Sequence, residues 1–213
     1  MLRRGSIFVM IICLYQLLSV ACTYAEEAVD DLVDVLASDG KIVAIIEGER
    51  TTTVDLRLKE TVLWSDSQGY LGGVLTDSQF YVISASSGVW QAFPLKLDAS
   101  EKEVASLSDS LALLVTGDRA VVFDAASNQF VEARIPLQDE LISAQVENHV
   151  AVVITSSRVL GFVTDTTAFA EERFKLDETV EGMKVTSQKA IIRTSERLLT
   201  FSTKTLRWNA LSN

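Results

Sequence analysis

Leu111-Ala112-Leu113-Leu114-Val115-Thr116-Gly117-Asp118-Arg119-Ala120-Val121-Val122-Phe123-Asp124 places two short apolar runs on either side of a polar break. Runs rich in β-branched and aromatic residues, bounded by Thr, Gly and Asp, read as two strands joined by a tight reversal. Both runs are apolar throughout instead of alternating, so both faces of this hairpin must be covered. Upstream, Val104 to Ser108 forms another such run. Downstream, Gln129 to Leu137 forms a fourth, which alternates in Phe130-Val131-Glu132-Ala133-Arg134-Ile135 as a half-buried outer strand does.

The same unit recurs along the chain. Ser38-Asp39-Gly40-Lys41, Thr76-Asp77-Ser78-Gln79, Thr116-Gly117-Asp118-Arg119, Thr155-Ser156-Ser157-Arg158 and Thr194-Ser195-Glu196-Arg197 end 38, 40, 39 and 39 positions apart. Four residues after each stands a large apolar residue: Ile45, Ile83, Phe123, Phe162 and Phe201. Eleven residues after it stands Thr52, then Trp90, Phe130, Phe169 and Trp208. A further track, Leu58, Leu97, Leu137 and Leu176, repeats at 39, 40 and 39. Four antiparallel strands in about 40 residues is the size of a propeller blade. The repeat therefore predicts an all-β, closed β-propeller of about five four-stranded blades, near residues 26 to 58, 60 to 97, 100 to 137, 140 to 176 and 179 to 213. Blade one is its weakest part, because Glu26-Glu27-Ala28-Val29-Asp30 makes a poor innermost strand.

Ile83-Ser84-Ala85-Ser86-Ser87-Gly88-Val89-Trp90 and Phe123-Asp124-Ala125-Ala126-Ser127-Asn128-Gln129-Phe130 resemble the repeat of the quinoprotein-like (PQQ-like) β-propellers. That repeat runs apolar, Asp, two residues, Thr-Gly, a spacer and Trp. The glycine is missing from three of the five repeats and the aspartate from most. The resemblance implies the fold and no quinone cofactor; its matching positions are structural.

Arg3 and Arg4 precede an apolar stretch from Ile7 to Ala21, followed by small residues, which reads as an export signal. Thr23-Tyr24-Ala25 suits cleavage after residue 25, leaving residues 26–213 as one mature domain. Leu18-Ser19-Val20-Ala21-Cys22 also resembles a lipobox, so acylation at Cys22 is the alternative and the only membrane link the sequence offers. Cys13 and Cys22 both lie in this leader, so the mature domain has no disulfide and must be held by packing. The expected location is the periplasm or the cell exterior. Without Arg3 and Arg4 the chain keeps 17 basic against 29 acidic side chains, a net charge of −12, which makes nucleic acid a poor partner.

Little catalytic chemistry is visible. The one histidine, His149, falls at a turn after Asn148, and the mature chain has no cysteine to join it in a nucleophilic pair or a Cys/His metal site. Gly69-Tyr70-Leu71-Gly72-Gly73 opens a strand with no helix behind it, so it fits a close approach between neighbours better than a phosphate cradle. Asp30, Asp66 and Glu147 fall on innermost strands, where paired carboxylates could cleave a glycoside. A carbohydrate-binding or glycoside-cleaving propeller is therefore the alternative function, with Trp64 the one tryptophan outside the repeated docking position. The segments joining one blade to the next carry Glu60, then Asp98, Glu101 and Glu103, then Asp139 and Glu140, then Asp177, Glu178 and Glu181. On a propeller these emerge on one face, with no packing role evident from sequence. The leading expectation is an exported, non-catalytic binding or scaffold module. Its protein partner docks on an acidic loop face of Glu60, Asp98, Glu101, Asp139, Glu140, Asp177 and Glu178, and no catalytic, cofactor or metal residue is assigned.

Overall fold

The computed structural model describes residues 31–38, 40–48, 50–95 and 104–212. The leader, Asp30, Leu97, Asp98, Glu101 and Glu103 lie outside the described residues. The chain runs through five consecutive antiparallel sheets, in each of which strands pair with their sequence neighbours. This is the blade architecture of a β-propeller. The first sheet holds β1 (Val33–Ser38), β2 (Lys41–Ile46) and β3 (Arg50–Asp55), and the second β4 (Val62–Gln68), β5 (Leu71–Thr76), β6 (Gln79–Ser84) and β7 (Trp90–Pro94). The third holds β8 (Val104–Leu107), β9 (Leu111–Val115), β10 (Arg119–Asp124) and β11 (Gln129–Arg134), and the fourth β12 (Leu141–Glu147), β13 (Val150–Thr155), β14 (Arg158–Val163) and β15 (Ala170–Arg173). The fifth holds β16 (Val180–Thr186), β17 (Lys189–Thr194), β18 (Arg197–Ser202) and β19 (Asn209–Ser212).

The continuous apolar runs lie where both faces are covered. Every residue of β5, β6, β9 and β13 is buried, and so is all of β10 and β14 after the first residue. Core clusters join sheet one to two, two to three, three to four and four to five. Phe123, Phe162 and Phe201 are buried as the repeat predicts. The outer-strand aromatics are half-buried and dock each blade on the one before: Phe130 lies 5.0 Å from Phe123 and 5.5 Å from Phe93, and Trp208 donates from Nε1 to the Ala170 carbonyl at 3.1 Å. Between sheets one and two the approach is closest at Gly72, where a Cβ would stand 2.2 Å from Val35 Cγ2. Only the missing side chain lets the two sheets meet there.

Among the described residues the first sheet holds three strands. β1 occupies the repeat position of the second strands elsewhere, and the segment expected to form the innermost strand lies outside the described residues. Among the described residues no core cluster joins sheet five to sheet one. The face of sheet five turned away from sheet four carries Lys189 and Arg193, and that of sheet one carries Asp34, where the corresponding positions of the inner blades are aliphatic or small. Their burial alternates accordingly, as for terminal units of a stacked array.

The aspartate of the family-like repeat survives at Asp124, where it is fully buried. Its carboxylate accepts from the Ala126 N–H at 3.0 Å, the Ser127 hydroxyl at 3.1 Å and, in the next blade, the Asp165 N–H at 3.0 Å. It ties a hairpin and links two blades, which is structural work.

Candidate functional site

The segments entering sheets two, four and five each make a four-residue turn before the innermost strand. Arg57-Leu58-Lys59-Glu60, Pro136-Leu137-Gln138-Asp139 and Lys175-Leu176-Asp177-Glu178 each close with the fourth N–H donating to the first carbonyl, at 3.0, 2.9 and 3.1 Å. Lys59 and Asp177 take φ of 72° and 63°, the left-handed conformation that a type II turn requires of its third residue.

The fourth residue of each turn points inward and braces the neighbouring hairpin. Glu60 accepts from the hydroxyls of Thr76 at 2.5 Å, Ser78 at 2.9 Å and Tyr81 at 3.3 Å, and from the Arg57 N–H at 2.9 Å. Asp139 accepts from Ser157 Oγ at 2.6 Å, Arg158 Nε at 3.1 Å and Thr155 Oγ1 at 3.3 Å. Glu178 accepts from Thr194 Oγ1 at 2.7 Å, the Lys175 N–H at 2.8 Å and Arg197 Nε at 2.9 Å. In sheet three Asp118, within the hairpin itself, accepts from Thr116 Oγ1 at 3.1 Å and Arg119 Nε at 3.2 Å.

Burial opposes ionisation of Glu178, whose side chain is 0% exposed, but hydrogen bonds from Arg197, the Lys175 N–H and Thr194 outweigh it and hold the carboxyl down at about 2. Burial likewise opposes ionisation of Glu60, and Thr76, Arg57, Ser78 and Tyr81 together lower its carboxyl below the usual range. Burial and the Glu60 charge raise the Tyr81 phenol. Glu60, Asp139 and Glu178 thus have a packing role that sequence reasoning missed. Their signal was present as a constant spacing, since each acid stands 16 residues before its threonine.

The second residue of each turn points the other way. Leu58 is 95% exposed, and Leu137 and Leu176 are each 89% exposed, the three most exposed large apolar side chains among the described residues. The sequence shows the repeat of these leucines but not their direction. Glu140 and Asp177 are exposed beside Leu137 and Leu176, so of the seven acidic residues singled out these two stand free on the loop face. Asp98 and Glu101 lie outside the described residues.

The other candidates are dispersed. His149 is exposed in the β12–β13 turn. Asp66 lies on the innermost strand of sheet two and Glu147 at the end of that of sheet four, with sheet three between them. Trp64 is half-buried against Phe80, their ring centroids 6.5 Å apart, and does not offer a flat sugar platform. Among the described residues no three His, Cys, Asp or Glu side chains gather as a metal site would need.

No protein-family model matches the sequence, and no curated protein does. Among solved structures the chain is similar to the N-terminal domain of Nup159, with 9% identity, a TM-score of 0.38, and 85% of this chain and 58% of that one covered. It is similar to Hsv2p of Kluyveromyces lactis at 12% identity and a TM-score of 0.42, covering 81% of this chain and 59% of that one. It is also similar to PorZ of Porphyromonas gingivalis, a bacterial surface component of the type-IX secretion system, at 12% identity and a TM-score of 0.41, covering 86% of this chain and 27% of that one. The chain therefore spans less than two thirds of the length of each.

Proposed function

We propose that the protein is a non-catalytic binding or scaffold propeller that takes a protein partner on its blade-entry turns. It is exported by residues 1–25 to the periplasm or cell exterior, and residues 26–213 act as one domain. The observation that carries this is the row of exposed leucines, Leu58, Leu137 and Leu176, at one repeated position of an internally braced turn. Fully burying such a side chain is worth about 1.5 to 3 kcal/mol, and nothing in the fold collects it. The braces also fix the turns before any partner arrives, which removes ordering cost from binding. Glu140 and Asp177 add negative charge beside Leu137 and Leu176, so the complementary surface has apolar sockets and a basic rim. The likeness of the repeat to quinoprotein-like propellers supports the fold and brings no cofactor.

The test is photo-crosslinking in the native compartment, with a benzophenone amino acid placed in turn at positions 58, 137 and 176, and at exposed Val89 as control. One shared adduct from the three turn sites, absent from position 89 and lost in a Leu58→Ser, Leu137→Ser, Leu176→Ser variant that melts like wild type, is the expected result. No adduct, or the same adduct from position 89, would move the binding surface elsewhere.

A further inference from the structure

Inside the array, the second-strand row that faces the following sheet is aliphatic: Leu111, Leu113 and Val115 in sheet three, and Val150, Val152 and Ile154 in sheet four. In sheet five the same repeat positions are Lys189, Ile191 and Arg193. Lys184 pairs with Ile191, and Arg193 with Leu198, which in turn pairs with the 59% exposed Leu211, so three cations surround an apolar strip. One carboxylate shares this face, Glu181, at 3.1 Å from Arg193. A basic face is unexpected on a chain of net charge −10.

The open face of sheet one has the same shape of chemistry with the opposite sign. The 61% exposed Leu36 and half-buried Val43 and Ile45 form its strip, with Asp34 beside Ile45, and Asp55 at 3.7 Å from Lys41. Asp34 stands where Ala112, Ala151 and Ala190 stand in later sheets, on the face each turns toward its predecessor.

We propose that these two faces bind each other between copies: sheet five of one molecule receives sheet one of a second, in the register of an interior blade contact. Lys189 then meets Asp34 at the level where Val150 and Ala190 share a core cluster, and Arg193 lies at the level of Asp55. The faces are different surfaces of one chain, so the contact is head-to-tail and each added copy exposes a fresh acceptor. A second copy is the occupant because the two faces match in sign and strip and, among the described residues, have no core contact within the chain.

Sedimentation velocity on the purified exported protein tests this. The expected result is species larger than one chain that grow with concentration and weaken roughly tenfold between about 0.05 and 0.5 M salt. Lys189→Asp should abolish them, and Lys189→Asp with Asp34→Lys in one chain should restore them. Asp34→Cys protein mixed with Lys189→Cys protein should give an intermolecular disulfide above the wild-type background. A single-chain mass at all concentrations, or an intrachain disulfide in the doubly substituted chain, would overturn the proposal, the latter by showing that the ring closes on itself.

Discussion

Glu178 shows how a residue that reads as solvated loop charge becomes part of the fold. Its Arg197 partner also donates to Glu172 at 2.6 Å and to the Arg173 carbonyl at 2.7 Å, so one guanidinium fastens sheet five to the last strand of sheet four. Glu178→Gln should destabilise the protein by about 2 to 4 kcal/mol in denaturant melts, because it leaves Arg197 buried beside a neutral partner. The pH dependence follows from the depressed carboxyl. With a folded-state value of about 2 against 4.5 unfolded, the stabilisation is complete above about pH 5 and is lost as pH falls toward 2. Wild type should therefore lose about 3 kcal/mol more than Glu178→Gln across that window; parallel acid titrations of the two would show the brace to be weaker than its geometry. Sequence reasoning did not separate Glu178 from its neighbour Asp177, since adjacent acids in a loop look alike. Only the turn decides which points inward.

At the level of elements, the strands were legible because burial on both faces writes itself as an unbroken apolar run, as in Val150 to Ile154. The large apolar residue four positions after each third-strand anchor, Phe123, Phe162 and Phe201 in the last three sheets, was legible for the same reason. The end blades were not: Lys189 and Asp34 are small departures from the repeat, and their effect appears only once the sheets are stacked. Packing between sheets gives two predictions. Gly72→Val should cost about 1 to 3 kcal/mol, because Val35 leaves no room for a Cβ, and should make residues 31–55 the first to be cut by protease. Phe130→Ala should cost about 2 to 4 kcal/mol through its contacts with Phe123, Phe93 and Phe80, whereas His149→Ala should stay within about 0.5 kcal/mol. Thermal melts in the reverse order would mean that core and surface have been exchanged.

For the molecule as a whole, stability is expected to be graded along the array, since each sheet leans mainly on its neighbours. Amide exchange should be slowest in β9, β10, β13 and β14, and faster in β1 to β3 and β17 to β19, which have one face without a core partner among the described residues. Uniform protection across all five sheets would point to a ring sealed at both ends. The blade-entry turns add something of a different kind. Within four residues the last is fastened into the fold and the second touches nothing, so the two can change independently over evolutionary time. Leu58, Leu137 and Leu176 can be exchanged for other side chains at no cost to the scaffold, one blade at a time. The molecule is in this sense a bank of interchangeable contacts on a fixed frame, and its specificity can be rewritten without refolding it.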